Sequence, residues 1–314
     1  MTIGTIPLVA FLTAMLAAGL VAAVPLVLAA LGEAVGERSG LLNLGIEGMM
    51  LGGCFFGFWA AYETGSMTIG MLAAIAAGLA LALVFGVLTI TCGVDQVLVG
   101  LAITIFAAGL TGFLFRDVFG GQNVSAGVDE IDVSIPLLRD IPIIGGPVFE
   151  QQLLVYVCWA LVPLFAFLLL RTRFGLNVRA VGESPFAADA AGVDVVRTRY
   201  LAIAIGGMMA GFAGGFLCVA DVKIFSIGMT VGQGFIALAI TMLGRWNPYR
   251  IVVGAILFGM LRSLGDGLQI LGVDVRTEFI NMFPYVGIMI ALVVLAGRTA
   301  LPAALGVPYA RGQR

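Results

Sequence analysis

The sequence predicts an all-α polytopic membrane protein of about nine transmembrane segments, with broken or re-entrant helices and a faint inverted repeat. Three observations carry this. Hydrophobic residues fill 61% of the 314 positions and charged residues only 11%, against about 25% charged in a soluble domain. Mean hydropathy is +1.11, and apolar stretches of roughly the 20 residues that span hydrocarbon recur along the whole chain. Between two of them, Gly36 to Met50 (GERSGLLNLGIEGMM) inserts two acids, an arginine, a serine and an asparagine. Charges and unpaired backbone groups are expensive in a bilayer, so such a break belongs at an interface or around a protected cavity.

In order, the apolar segments are 8–34, 41–62, 67–92, 95–116, 151–171, 198–220, 229–244, 249–272 and 278–297. The first has no basic region or small-residue cleavage site before or after it, so it is expected to remain as a span. In the second, Gly48/Gly52 and Gly53/Gly57 stand four apart, as do Gly207, Gly211 and Gly215 in the sixth. Such ridges let helix backbones approach closely in a membrane. The seventh is short and opens on Gly228, Gly232 and Gly234, the pattern of a half-helix. In the eighth, Arg262 and Asp266 stand one helical turn apart with Gln269 beyond; they are expected to pair, with Asp266 and Gln269 nearer a cavity. The whole chain, 1–314, reads as one transmembrane domain.

Gly40 to Ile46 (GLLNLGI) resembles Gly234 to Ile240 (GFIALAI) in pattern. If their segments run in opposite directions, these are the matching breaks of an inverted repeat, with the site between them.

Arginines orient the chain. With the 172–197 loop in the cytoplasm, the inside receives Arg38, Arg171, Arg173, Arg179, Arg197, Arg199, Arg245, Arg250, Arg298, Arg311 and Arg314. The outside receives only Arg116, Arg139, Lys223 and Arg276, together with the acidic 117–150 connection. Nine spans then put the N-terminus outside and the C-terminus in the cytoplasm.

Several chemistries are excluded. There is no histidine, hence no His-based acid–base pair or metal ligand, and no cofactor or metal is expected. Cys54, Cys92, Cys158 and Cys218 lie far apart in apolar runs and read as small buried hydrophobes. The only lysine, Lys223, is not preceded by glycine, so no G-x-x-x-x-G-K-[ST] phosphate loop exists. If ATP drives this protein, another subunit hydrolyses it. No basic run suggests nucleic acid.

The 172–197 loop holds a short capped helix. Ser184 suits the N-cap, Pro185 the first helical position and Gly192 the C-terminal end, around Phe186-Ala187-Ala188-Asp189-Ala190-Ala191. By itself this is either a rigid knob for a partner or an ordinary solvated connection.

Three stretches together, GERSGLLNLGIEGMMLGG, RTRFGLNVRAVGESPFAADAAGVDVVRTRYLA and GMTVGQGFIALAITMLGRWNP, resemble the signature regions of ABC importer permease subunits of the nucleoside or simple-sugar type. That group is related to the ribose and branched-chain amino acid permeases. The resemblance runs from about Leu20 to Gly297. It implies a second permease subunit, commonly a related but different chain, two ATP-binding cassette subunits, and an extracytoplasmic substrate-binding protein. It maps the family's coupling helix onto Ser184 to Ala191. Gln233 departs from the basic residue often found there.

Asn43 and Glu47, four apart, share a face if helical. Glu47 either meets a substrate hydroxyl or base edge, or makes a packed internal hydrogen bond. Glu37 and Arg38 are expected at the cytoplasmic interface, against the ATPase or headgroups. The candidate pathway is therefore Asn43, Glu47, Gln233, Asp266 and Gln269. The expected function is a nucleoside importer permease, with a ribose- or galactose-like sugar permease as alternative. An ion-coupled secondary transporter would be expected to carry more mid-membrane ionisable groups.

Overall fold

A computed structural model describes residues 2–3, 6–122, 124–128, 131–134, 136, 138–139, 141, 143–270, 282, 285–287, 289–290, 293 and 301–309. The strands are minor: β1 (Thr2–Ile3) pairs antiparallel with β2 (Ile6–Pro7), and β3 (Asp132–Ser134) with β4 (Glu150–Gln152). The main elements are helices. α1 (Leu8–Arg38), α2 (Ile46–Thr64), α3 (Met67–Gly86) and α4 (Gln96–Phe119) come first, α3 continuing into a π turn at Val87–Thr91. After α5 (Gly145–Phe149), α6 (Leu153–Arg171) leads into α7 (Arg173–Glu183) and α8 (Pro185–Ala190). α9 (Val195–Gly215) ends in a π-helix, Phe216–Val222, and α10 (Gln233–Leu243) and α11 (Pro248–Ile270) follow.

Among the described residues, five helical stretches are long and apolar enough to cross a membrane: Val9–Arg38, Met67–Thr91, Gln96–Phe119, Leu153–Arg171 and Val195–Val222. α10, with 11 residues, is too short to cross by itself. The expected ninth segment, 278–297, lies largely outside the described residues.

Helix ends follow local chemistry. Asp95 caps α4 by accepting from Val97 N at 2.9 Å and Leu98 N at 3.0 Å, and Asp194 caps α9 by accepting from Arg197 N at 2.9 Å. α2 stops at Gly65, whose φ of 65° an L side chain resists. Two boundaries differ from expectation. α1 runs on to Arg38, because Glu33 and Glu37 are buried in the bundle with partners of their own. α2 starts at Ile46, since 41–45 is unwound.

α9 is the central post, packed against α1, α2 and α3. The glycine ridges make this contact. A Cβ on Gly53 would lie 2.4 Å from Gly211 O, one on Gly78 2.2 Å from Gly207 O, and one on Gly214 2.0 Å from Met50 O. Each is backbone against backbone. Cys54, Cys158 and Cys218 are buried in this core, as expected, but Cys92 is exposed because it follows the π turn that ends the third span.

Candidate functional site: the meeting of the starts of α2 and α10

The unwound stretch 41–45 survives inside the bundle because its polar groups find partners there. Leu42 N donates to Gln96 Oε1 at 2.7 Å, Asn43 N to Glu33 Oε1 at 3.3 Å, and Gly45 N to Asn43 Oδ1 at 3.0 Å. The Asn43 side-chain amide also donates to Met49 Sδ at 3.4 Å. Asn43 therefore precedes α2 and does not share a helical face with Glu47. Its amide is spent on a local turn, the use short polar side chains find at helix starts.

Glu47, in the first turn of α2, reaches across to α10. Its Oε1 accepts from Thr230 Oγ1 at 2.6 Å and from Gly232 N at 2.8 Å; its Oε2 accepts from Gly234 N at 2.7 Å. Thus one carboxylate stands at the N-termini of two helices, where backbone donors and helix dipoles both favour negative charge. Gly234 is required here: a Cβ on it would sit 2.7 Å from both N and Cα of Glu47. The approach to α10 is strained, with Val231 at φ 45° and Gly232 at φ 80°, and a β-branched residue in the left-handed region is an outlier. Tyr285 Oη donates to Val231 O at 3.0 Å. Gln233 is the first residue of α10; its side chain is buried and its Oε1 has no partner among the described residues.

The structure thus brings Glu47 and Gln233 together. Asp266 and Gln269 are exposed on α11, and no hydrogen bond or ion pair joins them to Glu47 or Gln233. Among the described residues no ion pair joins Arg262 to Asp266, since one-turn spacing permits a contact without enforcing it. A recess of about 550 Å³ between α2, α3 and α4 lies along alanines, Phe56 and Trp59, offering little to a hydroxyl-rich ligand. Among the described residues no cluster of His, Cys, Asp or Glu is arranged for a metal.

A second polar layer ties α1 to the α10–α11 turn. Trp246 Nε1 donates to Glu37 Oε2, and the Arg38 guanidinium lies 5.5 Å from the Trp246 ring centre. Arg245 and Trp246 both take positive φ, 51° and 55°, a strained turn that these contacts hold. Glu37 is therefore an internal acceptor, fully buried and unable to meet an ATPase or headgroups, whereas Arg38 is part-exposed. Glu33, Glu37, Gln96, Thr230 and Trp246 were absent from the candidate residues. The one-turn spacing of Glu33 and Glu37 in LGEAVGER was the available signal.

The capped helix is present as read. Ser184 Oγ accepts from Ala187 N at 3.4 Å, Pro185 opens α8, and Gly192 follows at φ 86°. Its flanks are more ordered than a connection, since Thr172 caps α7 by accepting from Gly175 N at 3.1 Å. Ala188 packs on Val181 and Val195, while Phe186 is half exposed and lies 5.3 Å from the Tyr309 ring. The segment 301–309 hooks this region to the α1 end: Ala304 N donates to Gly182 O at 2.9 Å and Gly306 N to Gly40 O at 3.0 Å.

Comparison with known proteins agrees with this architecture. The guanosine ABC transporter permease protein NupQ of Bacillus subtilis is 36% identical, over 98% of this chain and 99% of its own. TsgC13 of Haloferax volcanii, provisionally named a glucose ABC transporter permease protein, is 38% identical over 90% and 85%. The nucleoside ABC transporter permease protein NupC of Lactococcus lactis is 32% identical over 94% and 96%. Each organism also holds a second permease protein matching less closely: TsgB13 at 29%, NupP at 25% and NupB at 24% identity. Residues 15–297 match the family described as branched-chain amino acid transport system / permease component, and the chain belongs to that family of multi-pass membrane permeases.

Proposed function

We propose that this chain is the translocation subunit of an ATP-driven importer for nucleosides, working by alternating access. The observation that carries the reading is the junction that Glu47 makes between the start of α2 and the start of the short α10, which resembles the interrupted-helix sites of carriers. Permeases named for guanosine and nucleosides, similar over nearly the whole chain, support nucleosides as the cargo. The exposed capped helix α8 suits a coupling role, in which Ser184, Pro185, Phe186, Ala187, Ala188, Asp189, Ala190, Ala191 and Gly192 meet one of two separate ATPase subunits. The paired permeases of three organisms support a related but different second permease here. An extracytoplasmic binding protein would deliver the cargo, and the C-terminus would face the cytoplasm of the inner membrane. Gln233 is a candidate to meet cargo, its buried acceptor being unpartnered; Asp266 and Gln269 are candidates for the outer part of the path, with Asn43 and Glu47 shaping its wall.

A second reading, a simple-sugar importer, is favoured by the 38% identity to TsgC13. Uptake of radiolabelled guanosine, uridine, glucose and ribose by cells expressing the chain with its neighbouring transporter genes separates the two. Nucleoside uptake that fails when this chain is deleted supports the first reading. Sugar uptake alone supports the second, and uptake by the chain without any ATPase refutes both.

A further inference from the structure

The geometry points to Glu47 as the positioning residue that makes α2 and α10 one moving body during transport, an inference resting on the importer reading above. Glu47 belongs to α2, yet all three of its side-chain partners lie at the start of α10, from 183 to 187 positions away in sequence. The carboxylate takes one hydroxyl and two backbone N–H groups, donors that a helix N-terminus leaves without intrahelical partners. Charge-assisted bonds of this kind are stronger than neutral ones and geometrically specific.

Two further features make the contact a tie and not a passing neighbour. First, Gly234 lets the α10 backbone rest directly on Glu47, leaving no room for a Cβ. Second, the donors on either side of Val231, Thr230 Oγ1 and Gly232 N, converge on the same oxygen. That single atom therefore braces the residue held at φ 45°. Without it the turn would relax, and α10 would lose both its entry angle and its seat on α2. Because α10 has only 11 residues, its position depends on such attachments more than that of a full span does. Displacement of α2 is thereby handed to α10, with Gln233 carried along at its first position.

Glu47→Gln tests this in the reconstituted importer. It keeps the size but replaces one acceptor by an N–H₂ donor, so at least one donor of the Thr230–Gly232–Gly234 set loses its partner. Amide exchange at Gly232, Gly234 or both should rise at least tenfold, and nucleoside moved per ATP hydrolysed should fall at least tenfold in the complexes that assemble. A residue that only stabilised the fold would lower abundance and leave that ratio unchanged; an unchanged ratio, or unchanged exchange, overturns the proposal. If Glu47→Gln does not accumulate, Thr230→Val removes one donor and keeps two: a severalfold lower ratio is expected, and a normal one overturns the proposal.

Cross-linking supplies a separate test. Cysteines are placed at 47 and 230 after Cys54, Cys92, Cys158 and Cys218 are replaced by alanine, and a short bifunctional thiol reagent joins them. Uptake should rise on joining, because a covalent link restores the tie; loss of the remaining uptake would mean that α2 and α10 must part, and overturns it. If wild type moves no nucleoside, the substrate reading fails, and exchange at Gly232 and Gly234 still decides for or against the tie.

Discussion

Alanine at Gly211 should be among the most damaging conservative changes in this chain. The added methyl would stand 2.2 Å from the carbonyl oxygen of Ala74 and 3.0 Å from Cα of Gly78, where ordinary contact begins at 3.4 Å. Both atoms are backbone, so no rotamer relieves the clash, and α9 must move from α3 by about 1.2 Å, the shortfall of 2.2 from 3.4. Overpacking costs roughly 1–3 kcal/mol. The upper end applies, because α9 also loses contact with α1 and α2 when it shifts. At about 2 °C per kcal/mol for a protein of this size, the melting temperature should fall by about 6 °C. Gly109→Ala is the control: beyond its own helix backbone, nothing among the described residues lies within 4 Å of its Cβ position, and alanine favours the helix by up to about 1 kcal/mol. Thermal unfolding of the purified variants in one detergent measures both. Equal melting of Gly211→Ala and wild type, or an equal fall in Gly109→Ala, would refute the argument from backbone contact.

Trp246→Phe removes the donor to Glu37, whose other oxygen is already unpartnered. A loss of about 3 kcal/mol is expected by denaturant titration, partly recovered when Glu37→Gln is added. Ser184→Ala deletes the cap of α8, worth about 1 kcal/mol; uptake should drop severalfold at normal membrane abundance, and unchanged uptake would count against a coupling role for this helix. Asp266→Ala should impair uptake without preventing assembly, and normal uptake would remove Asp266 from the pathway.

What could be read from the sequence was what local rules govern. Ser184, Pro185 and Gly192 mark a helix through chemistry confined to a few neighbours, and α8 appears where they put it. The ridges through Gly53 and Gly211 were legible as close-packing surfaces because small residues have few other uses at that spacing in a membrane. The partners of Glu47 and Glu37 were not, since each contact joins residues about two hundred positions apart. Arg262 and Asp266 show the opposite error, a local spacing that suggested a pair the fold does not make. The proposed echo of Gly40 with Gly234 also sits out of step with the helix starts: Gly40 turns the chain after α1, whereas Gly234 lies inside the first turn of α10. The residues just before α2 and α10, Gly45 and Gly232, differ too, Gly45 being right-handed at φ −78° and Gly232 left-handed at φ 80°.

A carrier that leaves helix N-termini open in mid-membrane offers a resting place for phosphate or carboxylate. Here the chain has placed its own carboxylate there, and the donors at the start of α10 are already taken. On the importer reading proposed above, a phosphate or carboxylate entering this junction would meet a carboxylate already in place and those donors engaged, so the seat is closed to an anionic group.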